Sequence, residues 1–460
     1  MASTIKNMTE GKPLSLIVSF ALPLMAGNVF QQLYTVVDTM VVGKALGVDA
    51  LAALGATDWL YWLVLGMIQG VTQGFAILMA REFGARRYEN LRSVTGISVL
   101  LTAGCAVVFL AVSQLAAAPV LNLLKTPAAV MDGALLYLRI MFFGIPIVMA
   151  YNLLACILRS LGDGRTPLNA MIVAALTNIA LDLLFVLGFR WGIAGAVAAT
   201  LIAQMFSGIF CFFRLRKIDF MKLKPQHFAV KSATAVRLMS LGCPMALQNI
   251  MIAIGGMIIQ SVVNGFGVAF IAGFTASNKL YGVLEIAATS YGYAMITYVG
   301  QNLGAGKKER IRHGMRCATV VAVATSAVIG GLMLVFGKGI VSLFISGTPE
   351  EVTQAAKVAY DYLAVMSVCL PVLYILHVTR SAVQGMGDTV LPMVSGIAEF
   401  IMRTGGVLLL PAVLNETGIY AAEVLAWAGA DMILIPSYFI TLSRVSARLS
   451  GDGDRKELIE

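Results

Sequence analysis

Residues 14–43 read LSLIVSFALPLMAGNVFQQLYTVVDTMVVG, a run of thirty residues with one charged side chain, the carboxylate of Asp38. As a helix the run is ~45 Å long, more than the ~30 Å hydrocarbon core of a bilayer requires. Pro23 lies in its interior and lacks the amide hydrogen that an unbroken helix uses. A lone carboxylate inside a membrane costs ~2.5 kcal/mol or more, so Asp38 should face a partner, a cavity or a proton. The alternative is that the helix ends at Asp38 and the acid lies among the lipid headgroups.

The composition extends the membrane interpretation to the whole chain. Of 460 residues, 59% are hydrophobic and 12% are charged, and the mean hydropathy is +0.85. Soluble domains carry about 25% charged residues, so this is a polytopic membrane protein. The start, MASTIKNMTEGKP, is polar and leads directly into the first run, so we expect no cleavable signal peptide. The cysteines and histidines are scattered and no nucleophile motif is present, so we expect neither a cofactor nor an enzyme.

Twelve apolar windows predict twelve transmembrane helices in an all-α fold. They lie at residues 14–43, 51–79, 93–118, 131–158, 167–189, 192–213, 238–263, 268–300, 314–337, 357–383, 390–413 and 418–442. With both termini on one side, 25 Lys and Arg residues, Arg380 among them, fall on that side and 5 on the other. This asymmetry predicts that both termini lie in the cytoplasm, and we expect the chain to lie in a prokaryotic inner membrane. The basic residues that give the chain its net charge of +9 then face membrane lipids, and we expect no nucleic-acid partner.

The second half of the chain repeats the first half in order. Pro23 recurs as Pro244 at an offset of 221, and Gly162-Asp163 recurs as Gly387-Asp388 at an offset of 225. We therefore predict an N-terminal six-helix lobe (1–213), a cytoplasmic linker (214–237), a C-terminal six-helix lobe (238–443) and a cytoplasmic tail (444–460). Each half has an even number of spans, so the two pseudo-symmetric lobes share one orientation. That arrangement is typical of alternating-access transporters.

Polar residues in the fifth and sixth spans identify the candidate site. Asn178 and Asp182 are spaced i,i+4 and share a helix face, and the helical rise places Asp182, Thr200 and Asp38 at a similar depth. The repeat-related positions carry Ile259, Val407 or Leu408, and Ala426. The architecture therefore does not need acids there. Two carboxylates in one apolar niche cannot both keep an uncompensated charge. The four residues thus predict a site for a proton or Na⁺, and no other metal.

Other polar residues within the spans are candidates for a substrate cavity or for contacts in the second lobe. The cavity candidates are Gln31, Gln32, Gln69, Gln73, Asn249, Tyr281 and Glu285. Glutamines also bridge helices, so a packing role stays open. Glu399 and Arg403 are spaced i,i+4 and are predicted to neutralise each other. Asp431 is a second candidate for cation binding.

These motifs together resemble the multidrug and toxic compound extrusion (MATE) family, in its DinF-like branch. The resemblance rests on Pro23 and the Val-Asp38-Thr segment, the Gly-Ala turns at 84–85 and 304–305, the segment LRSLGDGRTP at 158–167, and the Asn178, Asp182 and Thr200 set. It implies a V-shaped pair of lobes around a central cavity. In that branch, the residues matching Asp38, Asn178, Asp182 and Thr200 bind the coupling cation, and the residue matching Pro23 is the hinge of the first helix.

The resemblance also implies a function, the export of amphipathic organic cations by antiport against H⁺ or Na⁺. In the NorM-like branch an acid follows the proline of helix 7, whereas residues 246–252 here read ALQNIMI and contain no acid. The alternative is a flippase of lipid-linked oligosaccharides or lipids in the same superfamily. A flippase would require arginines in the cavity for anionic headgroups. Since the charge count above assigns only Arg139, Lys279 and Arg403 to the spans, the exporter is favoured. We also expect a monomer.

Overall fold

The computed structural model describes residues 4–124, 126–342 and 349–450, and in these ranges every regular element is a helix. The α-helices are α1 (Pro13–Leu46), α2 (Val48–Gly84), α3 (Tyr88–Leu123), α4 (Ala128–Phe143), α5 (Ile145–Ser160), α6 (Arg165–Asp182), α7 (Gly192–Arg216), α8 (Ser232–Val263), α9 (Val268–Gly304), α10 (Lys308–Ser342), α11 (Pro349–Gly385), α12 (Val390–Leu409), α13 (Pro411–Leu414) and α14 (Thr417–Ser450). A π-helical turn, Leu183–Gly188, follows α6.

The twelve predicted windows all fall on helices, which confirms the all-helical polytopic fold. Within the described ranges, ten helices have the length and hydropathy of a membrane span, and α4 with α5 forms an eleventh. This pair bends by 49° at Gly144 because Pro146, at the start of α5, cannot continue the hydrogen bonding of α4. Helix α9 covers the window 268–300 but is too polar to meet the same test. The predicted tail is helical as far as Ser450, and residues 451–460 lie outside the described part.

The described chain divides into two compact units. The first unit takes the residues up to Met8 together with Leu22–Ile250, and the second unit takes Thr9–Ala21 together with the residues from Met251 onward. Of the three boundaries in the described chain, the one after Met8 lies before α1, and the other two fall inside α1 and α8, near Pro23 and Pro244. The lobe limits at 213 and 238 stay a prediction.

In the first unit, α2 and α8 cross at unusually close range. Gly70 and Gly74 form one face of α2, and Gly242 and Ala246 lie opposite on α8. A Cβ added to Gly70 would lie 2.5 Å from the Cα of Ala246, and one added to Gly74 would lie 2.4 Å from the Cα of Gly242. Small residues four apart on both helices therefore bring the two backbones into contact, as is common between membrane helices.

The segment between α7 and α8 packs on the first unit through a buried histidine. His227 is 1% exposed and lies in the 3₁₀ turn Pro225–Phe228. Its Nδ1 accepts a hydrogen bond from the Lys224 amide at 2.8 Å, and its Nε2 lies 2.9 Å from Glu89 Oε1. Because Nδ1 is an acceptor, Nε2 carries the proton and donates to the carboxylate.

Residues 4–8 also pack on the first unit. Thr4 donates to Asp163 at 2.5 Å, and the Lys6 carbonyl lies against Gly162, whose φ is +81°. Asp163 Oδ1 also accepts from the backbone amide of Thr166 at 2.9 Å, and so caps the first turn of α6. The Gly-Asp turn therefore both anchors the N-terminal segment and begins α6.

The second unit is built on the packing of α9 against α11. Phe274 and Tyr362 are in ring contact at 5.0 Å, and Ser277 donates to the Ala359 carbonyl at 2.6 Å. One turn of α9 further along, Tyr281 stacks on Trp427 of α14, with centroids 5.9 Å apart and an interplanar angle of 13°. Tyr281 and Tyr362 both lie close to the charged side chains of Arg403 and Glu423.

Candidate functional site

Asp38 and Asp182 lie side by side in the first unit. Asp38 is half-buried near the end of α1, and Asp182, the last residue of α6, is 0% exposed. The two carboxyl groups are close enough to share a hydrogen bond once one of them is protonated. Helix α1 continues to Leu46 and so does not end at Asp38. The partner that this acid faces is a second acid, Asp182.

The backbone around Asp182 changes its winding at this residue. Immediately after it, the chain widens into the π-helical turn Leu183–Gly188, and the Phe189 amide donates to the Leu184 carbonyl at 2.8 Å. A π turn inserts an extra residue into the helical ladder and is often found at functional sites. Here it follows directly on the buried carboxylate.

Asn178 and Thr200 complete the set that the sequence predicted. Asn178 is 1% exposed and lies one helical turn before Asp182. Its Nδ2 donates to Thr200 Oγ1 on α7 at 3.3 Å, which leaves the amide oxygen free to face other groups. The structure thus brings all four residues together; their role in coupling stays a prediction.

Oxygen atoms without donors give this cluster its chemical character. Within the described part of the chain, Asp38 Oδ1, both carboxylate oxygens of Asp182 and Asn178 Oδ1 are buried and accept no hydrogen bond. Buried acceptors without a donor are costly, and a buried charge without a partner is more so. A proton shared by the two acids, or a hard cation with oxygen ligands such as Na⁺, would satisfy these atoms.

Polar residues that the sequence interpretation missed surround the two acids. Tyr34 lies one turn before Asp38 and interacts with both carboxyl groups. Tyr61 on α2 and Tyr137 on α4 extend this group, and Gln204 on α7 lies next to Tyr61. The available signal was the recurrence of Tyr61 as Tyr281, at an offset of 220, in the second half.

The cavity candidates of the first unit have varied surroundings. Gln31 lies next to Tyr34, while Gln32, Gln69 and Gln73 are half-buried. Asn249 donates from Nδ2 to the Gly66 carbonyl at 2.8 Å, a bond between α8 and α2. Its amide thus joins two helices, and a substrate role for these residues stays a prediction. Pro23 lies inside the continuous helix α1, and its role as a hinge also stays a prediction.

A buried ionic network occupies the second unit. Glu399 on α12 accepts from Arg380 Nη2 at 2.6 Å and from Arg403 Nη2 at 2.9 Å. Arg403 also lies 3.1 Å from Glu423 on α14. Glu399 and Arg403 are therefore paired as predicted, within a larger network. Arg380, which the charge distribution had placed on the aqueous cytoplasmic side, is buried because it neutralises Glu399.

Three further predicted residues border this network. Glu285 lies 3.3 Å from His377 Nε2, and Tyr281 is in reach of both Glu285 and Glu423. Asp431 is 7% exposed, and its Oδ1 is among the buried acceptors that have no donor in the described ranges. Among the described residues, no group of three His, Cys, Asp or Glu side chains has the arrangement of a metal site.

Comparison with known proteins agrees with the repeat and the fold. The family model MatE matches residues 23–184 and again residues 244–405. The probable multidrug resistance protein YpnP of Bacillus subtilis (strain 168) is 30% identical over 414 residues, covering 90% of this chain and 92% of that protein. The multidrug export protein MepA of Staphylococcus saprophyticus is 20% identical over 415 residues, covering 90% and 89%.

A solved structure gives the same result. An outward-facing multidrug resistance MATE family transporter of the MOP superfamily superposes with a TM-score of 0.87 at 21% identity, covering 97% of this chain and 99% of that one. With two matched repeats and an all-helical polytopic fold, this chain belongs to the MatE (multidrug and toxic compound extrusion) family, whose members are membrane transporters and not enzymes.

Proposed function

We propose that this chain exports small amphipathic organic cations in exchange for protons or sodium ions, by alternating access. It would act as a monomer in the prokaryotic inner membrane, surrounded by lipid, with both termini in the cytoplasm. The names of the relatives, which are multidrug resistance and multidrug export proteins, support a drug-like cargo. The excess of Lys and Arg on one side of the predicted topology supports the orientation.

The observation that carries the proposal is the contact between Asp38 and Asp182. Asp182 is fully buried and Asp38 is half-buried, and the buried oxygens of both acids receive no donor from the described residues. The ionised pair repels itself and is unstable in a medium of low dielectric constant. Loading with one proton or one sodium ion removes the repulsion and draws the carboxyl groups together.

This loading would couple to motion through helix α1. Asp38 lies on α1 and Asp182 on α6, so neutralising the pair changes how strongly the two helices associate. Pro23 removes one hydrogen bond from the ladder of α1, which gives the helix a position at which to bend. A ligand shifts a conformational equilibrium only through different affinities for the two states. The pair would supply that difference for the coupling ion.

The side chains of the second unit favour a cationic cargo. Glu285 is only partly buried, with 34% of its side chain exposed, and lies next to the aromatic pair Tyr281 and Trp427. Carboxylates and aromatic faces both attract organic cations. The buried arginines, Arg380 and Arg403, are occupied by glutamates and are not available for the anionic headgroup of a flippase substrate.

Transport by proteoliposomes tests the proposal. Purified protein is reconstituted, and uptake of a fluorescent organic cation is followed under an imposed pH gradient or sodium gradient at zero membrane potential. A gradient of one pH unit stores ~1.4 kcal/mol per proton, so it drives ~10-fold accumulation of the cargo for each proton exchanged. We expect Asp38→Asn and Asp182→Asn to abolish accumulation.

Matched variants separate coupling from folding. Asp132→Asn removes an exposed acid on α4 and should transport like the wild type. Normal gradient-driven accumulation by Asp38→Asn or Asp182→Asn would contradict the proposed site. Pro23→Ala tests the hinge, since unchanged turnover would leave the bend without a role.

A further inference from the structure

The Gly-Asp turns fix the structural register between the two repeats. Gly162 and Gly387 both adopt left-handed backbone, with φ of +81° and +88°. In both turns the following aspartate accepts from the amide three residues later, at 2.9 Å for Asp163 and 3.2 Å for Asp388. The two turns therefore begin α6 and α12 in the same way. The offset of 225 between them applies to the residues that follow.

This register places Arg403 at the position of Asn178. Both residues link the helix that follows the Gly-Asp turn to the last helix of the repeat. Asn178 donates to Thr200 of α7 at 3.3 Å, and Arg403 Nε donates to Glu423 of α14 at 3.2 Å. The offset of 226 for these last helices places the counterpart of Thr200 at Ala426, one turn from Glu423. The same niche in each repeat therefore holds a polar link.

The two niches differ in how their carboxylates are neutralised. In the first unit, Asp38 and Asp182 face each other, and no described side chain donates to their buried oxygens. In the second unit, the Arg403 guanidinium lies between two acids, 2.9 Å from Glu399 and 3.1 Å from Glu423. One pair of acids thus has a cation supplied by the chain, and the other has none.

Other charged and titratable groups surround the second niche. Arg380 of α11 forms an ion pair with Glu399 at 2.6 Å. The remaining groups facing it are Tyr281 and Glu285 of α9, Tyr362 and His377 of α11, and Asp431 of α14. With Arg380 on Glu399, the Arg403 guanidinium is the neutralising partner of Glu423. Removal of Arg403 therefore leaves Glu423, whose side chain is 14% exposed, as the acid without a counter-charge.

We infer that Arg403 is a built-in counter-cation, which occupies in the second unit the place that an exchangeable ion takes in the first. A guanidinium keeps its proton throughout the accessible pH range and cannot diffuse away. Glu399 and Glu423 therefore stay charged and paired through the transport cycle. Of these two niches, only the one of Asp38 and Asp182 can exchange its ion, so Arg403 limits how many ions the two niches exchange per cargo molecule. The inference rests on the proposed function only in treating the aspartate pair as the exchanging site.

Proton uptake by the purified transporter tests this inference. Potentiometric titration between pH 8 and pH 6 counts the protons bound per molecule by the wild type, Arg403→Gln, Arg403→Lys and the double variant Arg403→Gln/Glu423→Gln. We expect Arg403→Gln to bind about one proton more than the wild type, because a buried unpaired carboxylate is neutralised by protonation. Arg403→Lys keeps a tethered charge, and the double variant has no unpaired acid, so both should match the wild type.

Each outcome decides the inference independently of the proposed function. Equal proton uptake by Arg403→Gln and the wild type, or extra uptake that persists in the double variant, would overturn it. If Arg403→Gln does not fold, the Asp38→Asn/Asp182→Asn variant supplies the test through binding of ²²Na⁺ and of protons. We expect this variant to bind no ²²Na⁺ and no proton at Glu399 and Glu423, and an ion bound at these two acids would overturn the inference. By contrast, failure of the proposed function alone would appear as normal coupled transport by Asp182→Asn.

Discussion

The crossing of α2 and α8 makes a quantitative prediction about Gly70. A Cβ at this position would lie 2.5 Å from the Cα and backbone N of Ala246, ~1 Å inside the normal contact distance. The opposing atoms belong to the backbone and cannot rotate away, so Gly70→Ala must separate the helices locally. Overpacking of this kind costs ~1–3 kcal/mol. Gly55 of the same helix has no atom within 4 Å of the equivalent Cβ, so Gly55→Ala is the matched control.

Both substitutions raise the intrinsic helix propensity of α2 by the same ~1 kcal/mol, so the difference between them isolates the clash. We expect Gly70→Ala to be less stable than Gly55→Ala by ~1–3 kcal/mol. Thermal unfolding in detergent, followed by tryptophan fluorescence, should place the apparent Tm of Gly55→Ala at or above that of the wild type and Gly70→Ala below it. Equal shifts for the two variants would refute the close contact. Gly74→Ala, with a Cβ 2.4 Å from Gly242, should behave like Gly70→Ala.

Three further substitutions test other parts of the first unit. Thr200→Val removes the acceptor of the Asn178 amide and keeps a similar side-chain volume. Loss of this hydrogen bond costs ~1 kcal/mol, so the half-saturating ion concentration for coupled transport should rise ~5-fold. An unchanged concentration would show that the bond has no part in ion binding. Gly162→Ala places a Cβ 2.1 Å from the Lys6 carbonyl oxygen, on a residue whose φ is +81°. The Tm should therefore fall by an amount that corresponds to ~1–3 kcal/mol. A Tm equal to that of the wild type would contradict the described conformation of the turn. His227→Ala should speed trypsin cleavage between α7 and α8, and equal cleavage rates would show that the histidine does not anchor the segment.

Local spacing explains why the acidic site could be predicted from the sequence. Asn178 and Asp182 had to share a helix face, and the helical rise placed Asp38 and Thr200 at the same depth. The tyrosines around them could not be identified in this way. Tyr34 and Tyr61 lie in apolar runs where aromatic residues usually pack, and only the tertiary fold brings Tyr34 close to both acids and Tyr61 next to Gln204.

The second unit shows where reasoning from sequence is limited. Arg380 lies a few residues before the Gly387 turn, so its position along the chain indicated the aqueous side. It is buried because Glu399, on the next helix, compensates its charge. The role of Glu423 could not be identified from the sequence either, since its partner Arg403 is twenty residues away. Ion pairs between helices depend on helix rotation, which hydropathy does not determine.

Two boundaries of the two units fall within α1 and α8, the third follows Met8, and none of these lies in the polar segment that joins the repeats. Thr9–Ala21 precedes the first repeat yet belongs to the second unit, and the first half of α8 follows the polar segment yet belongs to the first unit. Each unit thus contains a helical segment from the opposite half of the polypeptide. The first unit can therefore complete its fold only after the ribosome has synthesised α8. If the gene were split at the polar segment, each encoded half would lack part of its unit until the two halves associate.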